Sequence, residues 1–169
     1  QGPATGLAIS HIRHATRGEV SLANTQPFVR PLGDRTHVFA HNGDLPGIEG
    51  AFALDQSACQ PVGHTDSERA FCALLARLNS LWLDGGPPPL QSRLSVLATF
   101  AAELRADGPT NFLYADGDAL FAHGDRRLQR SGRAEPPGLW IRQRRCPPDT
   151  AAADQGAGVA VHTDGTSVV

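Results

Sequence analysis

The most regular pattern of apolar residues lies in the middle of the chain. Residues 65–78 begin with TDSE, which has the form of a helix capping box, and continue with apolar side chains three or four residues apart. After a break at the Gly- and Pro-rich run 84–89, residues 90–108 show the same spacing and stop near Gly108. The pattern therefore predicts two amphipathic helices.

Short apolar and β-branched runs on both sides of these helices indicate strands. The runs at 6–11 and 36–41 are two of them, and Asn42-Gly43 is expected to stop the second in a tight turn. Residues 111–123 are typical of a hairpin that turns at Asp116-Gly117. Segment 44–64 has no clear period and is predicted to be loop. Further strand candidates are 138–142, 158–162 and, as the opening of a strand that is cut off, 166–169.

The order of strands, two helices and more strands favours an α+β fold, with antiparallel sheet and helices packed on its faces. With 169 residues, a formal net charge of -2 and 40% apolar residues, the chain is typical of one ordinary globular domain over residues 1–169. No apolar run reaches the roughly 18 residues that a membrane span needs, so no membrane partner is expected.

The three cysteines, Cys59, Cys72 and Cys146, are odd in number and lack C-x-x-C spacing. We therefore predict neither a disulfide framework nor a zinc knuckle. A reducing, cytoplasmic setting is expected instead. Cys72 falls among the apolar positions of the first helix, which favours a buried structural thiol.

Four polar clusters stand at predicted strand ends, turns and a helix start, where side chains can converge on a pocket. They are HIRHATRG at 11–18, NTQPF at 24–28, HNG at 41–43 and TDSE at 65–68. Taken singly, each has a plainer interpretation. Arg13 is typical of a surface ion pair, Asn42-Gly43 of a hairpin turn, and Asp66 of a carboxylate favoured by the helix dipole.

The combined order H-x-R-x-A-T-x-G, N-x-x-P-F, H-N-G and T-D-S-E resembles the class II glutamine amidotransferases, within them the small stand-alone, YafJ-like type. The resemblance extends over almost the whole chain, from about Gly6. It implies an Ntn-hydrolase αββα sandwich, with two antiparallel sheets between helix layers, here truncated at both ends. It also implies hydrolysis of a glutamine (γ-glutamyl) amide through a cysteinyl thioester, without a metal or cofactor.

The resemblance assigns roles that suit the chemistry of a glutaminase. Arg13 matches the residue that binds the substrate α-carboxylate, and Asp66 the residue that binds the α-ammonium. Asn42, through its amide, and Gly43, through its backbone N–H, match the oxyanion hole. Thr16 and Arg17 match positions that line the glutamine pocket.

The chain departs from the family at the nucleophile, which is a cysteine at position one of the mature protein. We expect that cysteine and the first strands to be missing before Gln1, so this chain alone is expected to be inactive. Cys59 and Cys146 lie in predicted loops, and neither can present a free α-amine without cleavage of the chain.

Several alternatives remain open at this point. A γ-glutamyl peptide or thiol-conjugate hydrolase would keep the same glutamyl-binding residues, and a non-catalytic homologue would bind only a ligand or partner. A homo-oligomer or an ammonia-accepting partner is also compatible with the sequence. A metal site is disfavoured, because His37 and His41 would lie about 13 Å apart on one strand. Nucleic acid is disfavoured despite the arginines between 126 and 145, because the pI is near 6.4.

Overall fold

The fold comes from a computed structural model that describes residues 7–12, 20–52, 54, 59–83, 86–129 and 131–137. Four strands form one antiparallel sheet in the order β1-β2-β3-β4. They are β1 (Phe28–Leu32), β2 (Arg35–Gly43), β3 (Thr110–Ala115) and β4 (Leu120–His123). A separate two-stranded ribbon pairs β5 (Arg127–Leu128) with β6 (Ala134–Glu135).

Two glycines allow the hairpins of the sheet to close tightly. Gly33, between β1 and β2, has φ +59, and Gly117, between β3 and β4, has φ +84. A side chain with a Cβ rarely adopts such φ values, so glycine is the residue that these turns require. The predicted turn at Asp116-Gly117 is thereby confirmed.

Within the described ranges, three α-helices accompany the sheet: α1 (Ile48–Ala51), α2 (Asp66–Leu78) and α3 (Leu90–Asp107). Short 3₁₀ turns occupy Leu22–Asn24 and Asn79–Leu81. Thr65 caps α2, its hydroxyl oxygen accepting a hydrogen bond from the backbone N–H of Glu68 at 3.2 Å. Charged side chains interrupt α3, and neither it nor any other helix in the described ranges could serve as a membrane span.

Helices α2 and α3 share one core with a single face of the sheet. Along β2, the alternate residues His37, Phe39 and His41 are buried. Phe39 stacks on Phe71 of α2 with ring centroids 5.3 Å apart, and Phe112 of β3 lies 6.4 Å from Phe100 of α3. Burial of each such side chain contributes about 1.5–3 kcal/mol, so the aromatic layer fixes the helices against the strands.

An ion-pair cluster joins α3 to the β3–β4 turn. Arg93, which is buried, donates to the buried carboxylate of Asp116 and to the partly exposed carboxylate of Asp118, both at 2.7 Å. Asp116 also accepts the backbone N–H groups of Asp118 and Ala119. Each charge of the cluster is therefore both paired and hydrogen-bonded, as burial requires.

The α+β class, the antiparallel sheet and both long helices are confirmed. The described residues supply one sheet layer and one helix layer of the expected αββα stack. Strand β1 was not predicted, because its proline and arginine dilute the apolar pattern. The predicted strands at 138–142, 158–162 and 166–169 lie outside the described residues.

Three predictions of local structure were wrong. The run predicted as a strand at 6–11 forms no strand over its described residues 7–11, because an apolar run becomes a strand only when a neighbour completes its hydrogen bonds. Asn42-Gly43 is no turn: both residues belong to β2 and pair with Asn111 and Thr110. The segment 44–64 contains α1, a single helical turn too short to show a period.

The cysteine pattern, from which we predicted no disulfide framework, nevertheless includes one disulfide. Cys59 and Cys72, 13 residues apart, are joined by a disulfide, and both are buried. Cysteine counting could not find this pair, because the contact depends on the chain before α2 folding back onto the helix. Cys72 is buried as predicted, but it is a half-cystine rather than a thiol. Cys146 lies outside the described residues.

Candidate active site

The HNG cluster forms the last three residues of β2, beside the chain that leads into α1. At Gly43 the neighbouring backbone leaves no room for a side chain. A Cβ there would lie 2.0 Å from the carbonyl oxygen of Pro109 and 2.6 Å from Nε2 of His41. Glycine is thus required at this position by close approach of the backbone rather than by a positive φ.

Asp66, the first residue of α2, is tied directly to the segment that follows β2. Its Oδ2 accepts the backbone N–H of Leu45 at 2.9 Å, and its Oδ1 accepts the backbone N–H of Ser67 at 2.7 Å. The Ser67 hydroxyl lies 3.2 Å from the same Oδ1. An ionised carboxylate has about four lone-pair sites, so Asp66 keeps capacity for one further donor.

A cavity of about 250 Å³ opens beside this carboxylate. Arg69 of α2 and Glu49 of α1 lie on its wall and face each other at 3.8 Å between Nη2 and Oε1. Because Glu49 is largely exposed, such a pair contributes little and leaves both charges available to a ligand. The lining residues are Leu45, Pro46, Ile48, Glu49, Pro61, Gly63, His64, Thr65, Asp66 and Arg69.

Glu68 fixes a loop that contributes to the wall of the cavity. Its buried carboxylate accepts the backbone N–H groups of Val62 at 3.1 Å and Gly63 at 2.7 Å, and pairs with Arg30 of β1. The TDSE sequence was interpreted as a capping box. The Thr65 half of that box is formed, whereas the glutamate binds the preceding loop instead.

Two side chains of the NTQPF cluster hold backbone segments next to the site. The side-chain oxygen of Asn24 accepts the backbone N–H of His64 at 3.0 Å, and that of Gln26 accepts the backbone N–H of His41 at 2.6 Å. Both side chains are buried, so each bond satisfies a group that would otherwise be costly to bury. The sequence singled out this cluster but gave no role to Asn24 or Gln26.

The buried imidazole of His41 lies between the two site segments. Its Nδ1 is 2.9 Å from the Ser67 hydroxyl, and its Nε2 has no hydrogen-bond partner among the described residues. Burial, together with a smaller effect of the nearby His11, lowers the pKa of His41 to about 4 despite the opposing effects of Asp66 and Asp44. His41 is therefore neutral near pH 7.

The structure links the segment that contains Asn42 and Gly43 to Asp66 through the Asp66–Leu45 and His41–Ser67 contacts, whereas Asn42 and Gly43 are not among the residues that line the cavity. Arg13, Thr16 and Arg17 lie outside the described residues, and their roles stay predictions. Ser67, Gln26 and Asn24 were missed as individual residues, although each falls within a cluster that the sequence singled out. The described residues hold no group of three or more His, Cys, Asp or Glu side chains placed for a metal.

Comparison with known proteins places this chain in a family. The family model for class II glutamine amidotransferases matches residues 4–163. The protein named "Putative glutamine amidotransferase YafJ" from Escherichia coli (strain K12) is 40% identical over 131 residues, which is 78% of this chain and 50% of the relative. A Haemophilus influenzae protein named "Putative glutamine amidotransferase" is 34% identical over 130 residues, 77% of this chain and 42% of the relative.

A solved structure agrees with the sequence comparisons. The crystal structure titled as a predicted glutamine amidotransferase from Pseudomonas aeruginosa PA01 has 45% sequence identity and a TM-score of 0.56, over 66% of this chain and 42% of that one. The chain spans half or less of the length of these relatives. On the family match over residues 4–163 and on this likeness, the chain belongs to the class II glutamine amidotransferases.

Proposed function

We propose that the complete protein hydrolyses the γ-amide of glutamine, or of a related γ-glutamyl compound, through a cysteinyl thioester. The thiol of an N-terminal cysteine outside this chain gives its proton to its own α-amine and attacks the γ-carbonyl carbon; the C–N bond then breaks, and the ammonia or amine leaves with that proton. Water then cleaves the thioester to release glutamate. Substrate binding and oxyanion stabilisation fall to residues of this chain.

The observation that carries the proposal is the bond between Asp66 Oδ2 and the N–H of Leu45. It holds a carboxylate suited to an α-ammonium against Leu45, which follows the proposed oxyanion segment by two residues, beside a cavity of about 250 Å³. Arg13 is the proposed partner of the α-carboxylate, with Thr16 and Arg17 lining the same pocket. A free amino acid would thus be held by both charged ends.

Asn42 and Gly43 are the proposed donors to the oxyanion. Asn42 is exposed, and its backbone carbonyl accepts the side-chain amide of Asn111 at 3.1 Å, which holds the residue in place. Donors positioned before the reaction stabilise the developing negative charge without reorganising. The backbone fixed at the end of β2, from which the Asn42 amide and the Gly43 N–H would donate, supports this assignment.

The experiment measures glutamate release by the complete protein from glutamine and from a panel of γ-glutamyl dipeptides. Asn42→Ala is expected to lower kcat about 100- to 1000-fold with little change in KM, because one oxyanion donor is lost. The matched control is Asn79→Ala, which removes an exposed asparagine after α2 and is expected to leave kcat unchanged.

The panel also separates the two substrate classes. Turnover of glutamine alone supports a glutaminase, and preference for dipeptides supports a γ-glutamyl peptide hydrolase. If neither is turned over by the complete protein, the proposed function is wrong and a non-catalytic binding role takes its place.

A further inference from the structure

His41 occupies an unusual position for a polar side chain beside a proposed active site. It is 3% exposed, so it cannot reach a substrate in the cavity, yet it touches both segments that would bind one. Its ring lies against Gly43, where an added Cβ would approach Nε2 to 2.6 Å. A buried histidine in this position can act only through its neighbours.

A chain of hydrogen bonds runs from this ring to the proposed ammonium-binding carboxylate. Nδ1 of His41 is 2.9 Å from the Ser67 hydroxyl, which lies 3.2 Å from Oδ1 of Asp66. The hydroxyl has one proton, and the charged carboxylate is the stronger acceptor. The Ser67 hydroxyl therefore donates to Asp66 and accepts Nδ1–H of His41.

The chain closes into a loop through the backbone. Oδ2 of Asp66 accepts the N–H of Leu45, and Leu45 follows Gly43 by two residues. The Gln26 side chain holds the backbone N–H of His41 at 2.6 Å. Movement of either segment thus stretches a bond at His41 or at Asp66, so the two segments are held in one geometry.

We propose that His41 is a positioning residue, which acts through Ser67 to hold the oxyanion segment and the Asp66 carboxylate in a fixed mutual geometry. This inference rests on the proposed function. It requires a ring nitrogen that donates to Ser67, and it gives the histidine of the HNG cluster a role separate from those of Asn42 and Gly43.

Two substitutions in the complete protein break the chain at different points. Ser67→Ala removes the middle link, and His41→Phe keeps an aromatic ring but loses the donor. Each is expected to lower kcat/KM for the γ-glutamyl substrate about tenfold or more, which corresponds to one hydrogen bond between positioned groups. Both KM and kcat should change, because the carboxylate and the oxyanion donors are displaced together.

His41→Asn tests the mechanism by rescue. An asparagine amide nitrogen can take the place of Nδ1, so this variant is expected to recover kcat/KM to within about threefold of the parent, whereas His41→Phe does not. A merely structural role would follow the loss of packing instead and would make the smaller asparagine the worse variant.

The matched control is His37→Phe. His37 lies on the same face of β2, is fully buried, and bonds Tyr114 and the carbonyl oxygen of Leu32 away from the site. Its loss is expected to lower the melting temperature while leaving kcat and KM unchanged below the transition. The control thereby separates general destabilisation from displacement of the site.

The outcomes divide cleanly. An inactive parent protein overturns the proposed function and this inference with it. An active parent whose Ser67→Ala variant retains its kcat and KM overturns the inference alone, even if His41→Phe fails to fold. The inference is supported if Ser67→Ala lowers kcat/KM and if His41→Asn retains the kcat/KM that His41→Phe loses.

Discussion

At the scale of single residues, the neutral state of His41 links the site to pH. The pKa of His41 is about 4 in the folded protein, whereas the pKa of an exposed histidine is 6.5. As the pH falls, His41 is therefore protonated at a higher pH in the unfolded chain than in the folded protein. The contribution of His41 to the free energy of unfolding is complete above pH 6.5 and decreases between pH 6.5 and about 4.

We predict that this decrease amounts to up to about 3 kcal/mol, by the usual conversion of a pKa difference into free energy. Urea unfolding at a series of pH values would measure it. His41→Phe, compared with the parent over the same series, should show a shallower decrease. Equal slopes in the two proteins would show that His41 is not buried in its neutral form.

Gly43 gives a second prediction at this scale. Gly43→Ala places a Cβ 2.0 Å from a backbone carbonyl oxygen, so the end of β2 must move. We expect about 1–3 kcal/mol of destabilisation and loss of turnover. Gly50→Ala in α1 meets nothing within 4 Å and is the matched control, expected to retain both stability and turnover. Equal stability and turnover in both variants would contradict the close approach at Gly43.

At the scale of elements, the Arg93 cluster decides how α3 is attached to the β3–β4 turn. Asp116→Ala leaves the buried guanidinium without its buried partner and is expected to cost about 3–5 kcal/mol. Asp118→Ala removes the 41% exposed partner of the same arginine and should cost about 1 kcal/mol or less. Chemical denaturation of the two variants tests the difference, and equal losses would contradict the burial of Asp116.

The disulfide also connects two parts of the fold, since it joins the segment before α2 to that helix. By the chain-entropy account, reducing a bridge between residues 13 apart should lower the free energy of unfolding by about 3 kcal/mol. Urea unfolding with and without reductant measures this difference in free energy. Both measurements use the Cys146→Ser variant, so that Cys59 and Cys72 are the cysteines of this chain that reductant can affect. Two titratable thiols in the unreduced, unfolded variant would show that the bond does not form.

The elements also show what the sequence can predict. The long helices follow from spacing alone, because each needs an apolar stripe, and the Asp116-Gly117 turn follows from the demand for positive φ. Strand β1 and the single turn of α1 could not be found that way. Their residues take their structure from long-range pairing and burial, such as Phe28 opposite Phe39, rather than from local pattern.

In the candidate site, too, some residues could be predicted from local sequence and others could not. Asn42, Gly43 and Asp66 were identified because their residue types suit the chemistry and their order matches the family. Ser67, Gln26 and Asn24 fix the segments around those groups through contacts with residues distant in the sequence, such as Gln26 with His41 and Asn24 with His64. No local spacing encodes these contacts, although the clusters that contain them were visible.

At the scale of the whole molecule, one helix layer on an antiparallel sheet presents the HNG and TDSE clusters side by side. The end of β2 and the start of α2 meet because the aromatic layer around Phe39 and Phe71 fixes helix against strand. The central claim is that this junction binds the α-ammonium of a γ-glutamyl substrate through Asp66.

The most direct test compares Asp66→Asn with Asp107→Asn in the complete protein by measuring KM and kcat/KM for its γ-glutamyl substrate. Asp107 is a matched carboxylate, since it accepts the N–H of Gly47 at 2.9 Å but lies outside the cavity lining. Asp66→Asn should raise KM about tenfold or more, because a charge-assisted bond to the ammonium is lost. Asp107→Asn should leave KM unchanged. Equal KM values in the parent and Asp66→Asn would contradict the account.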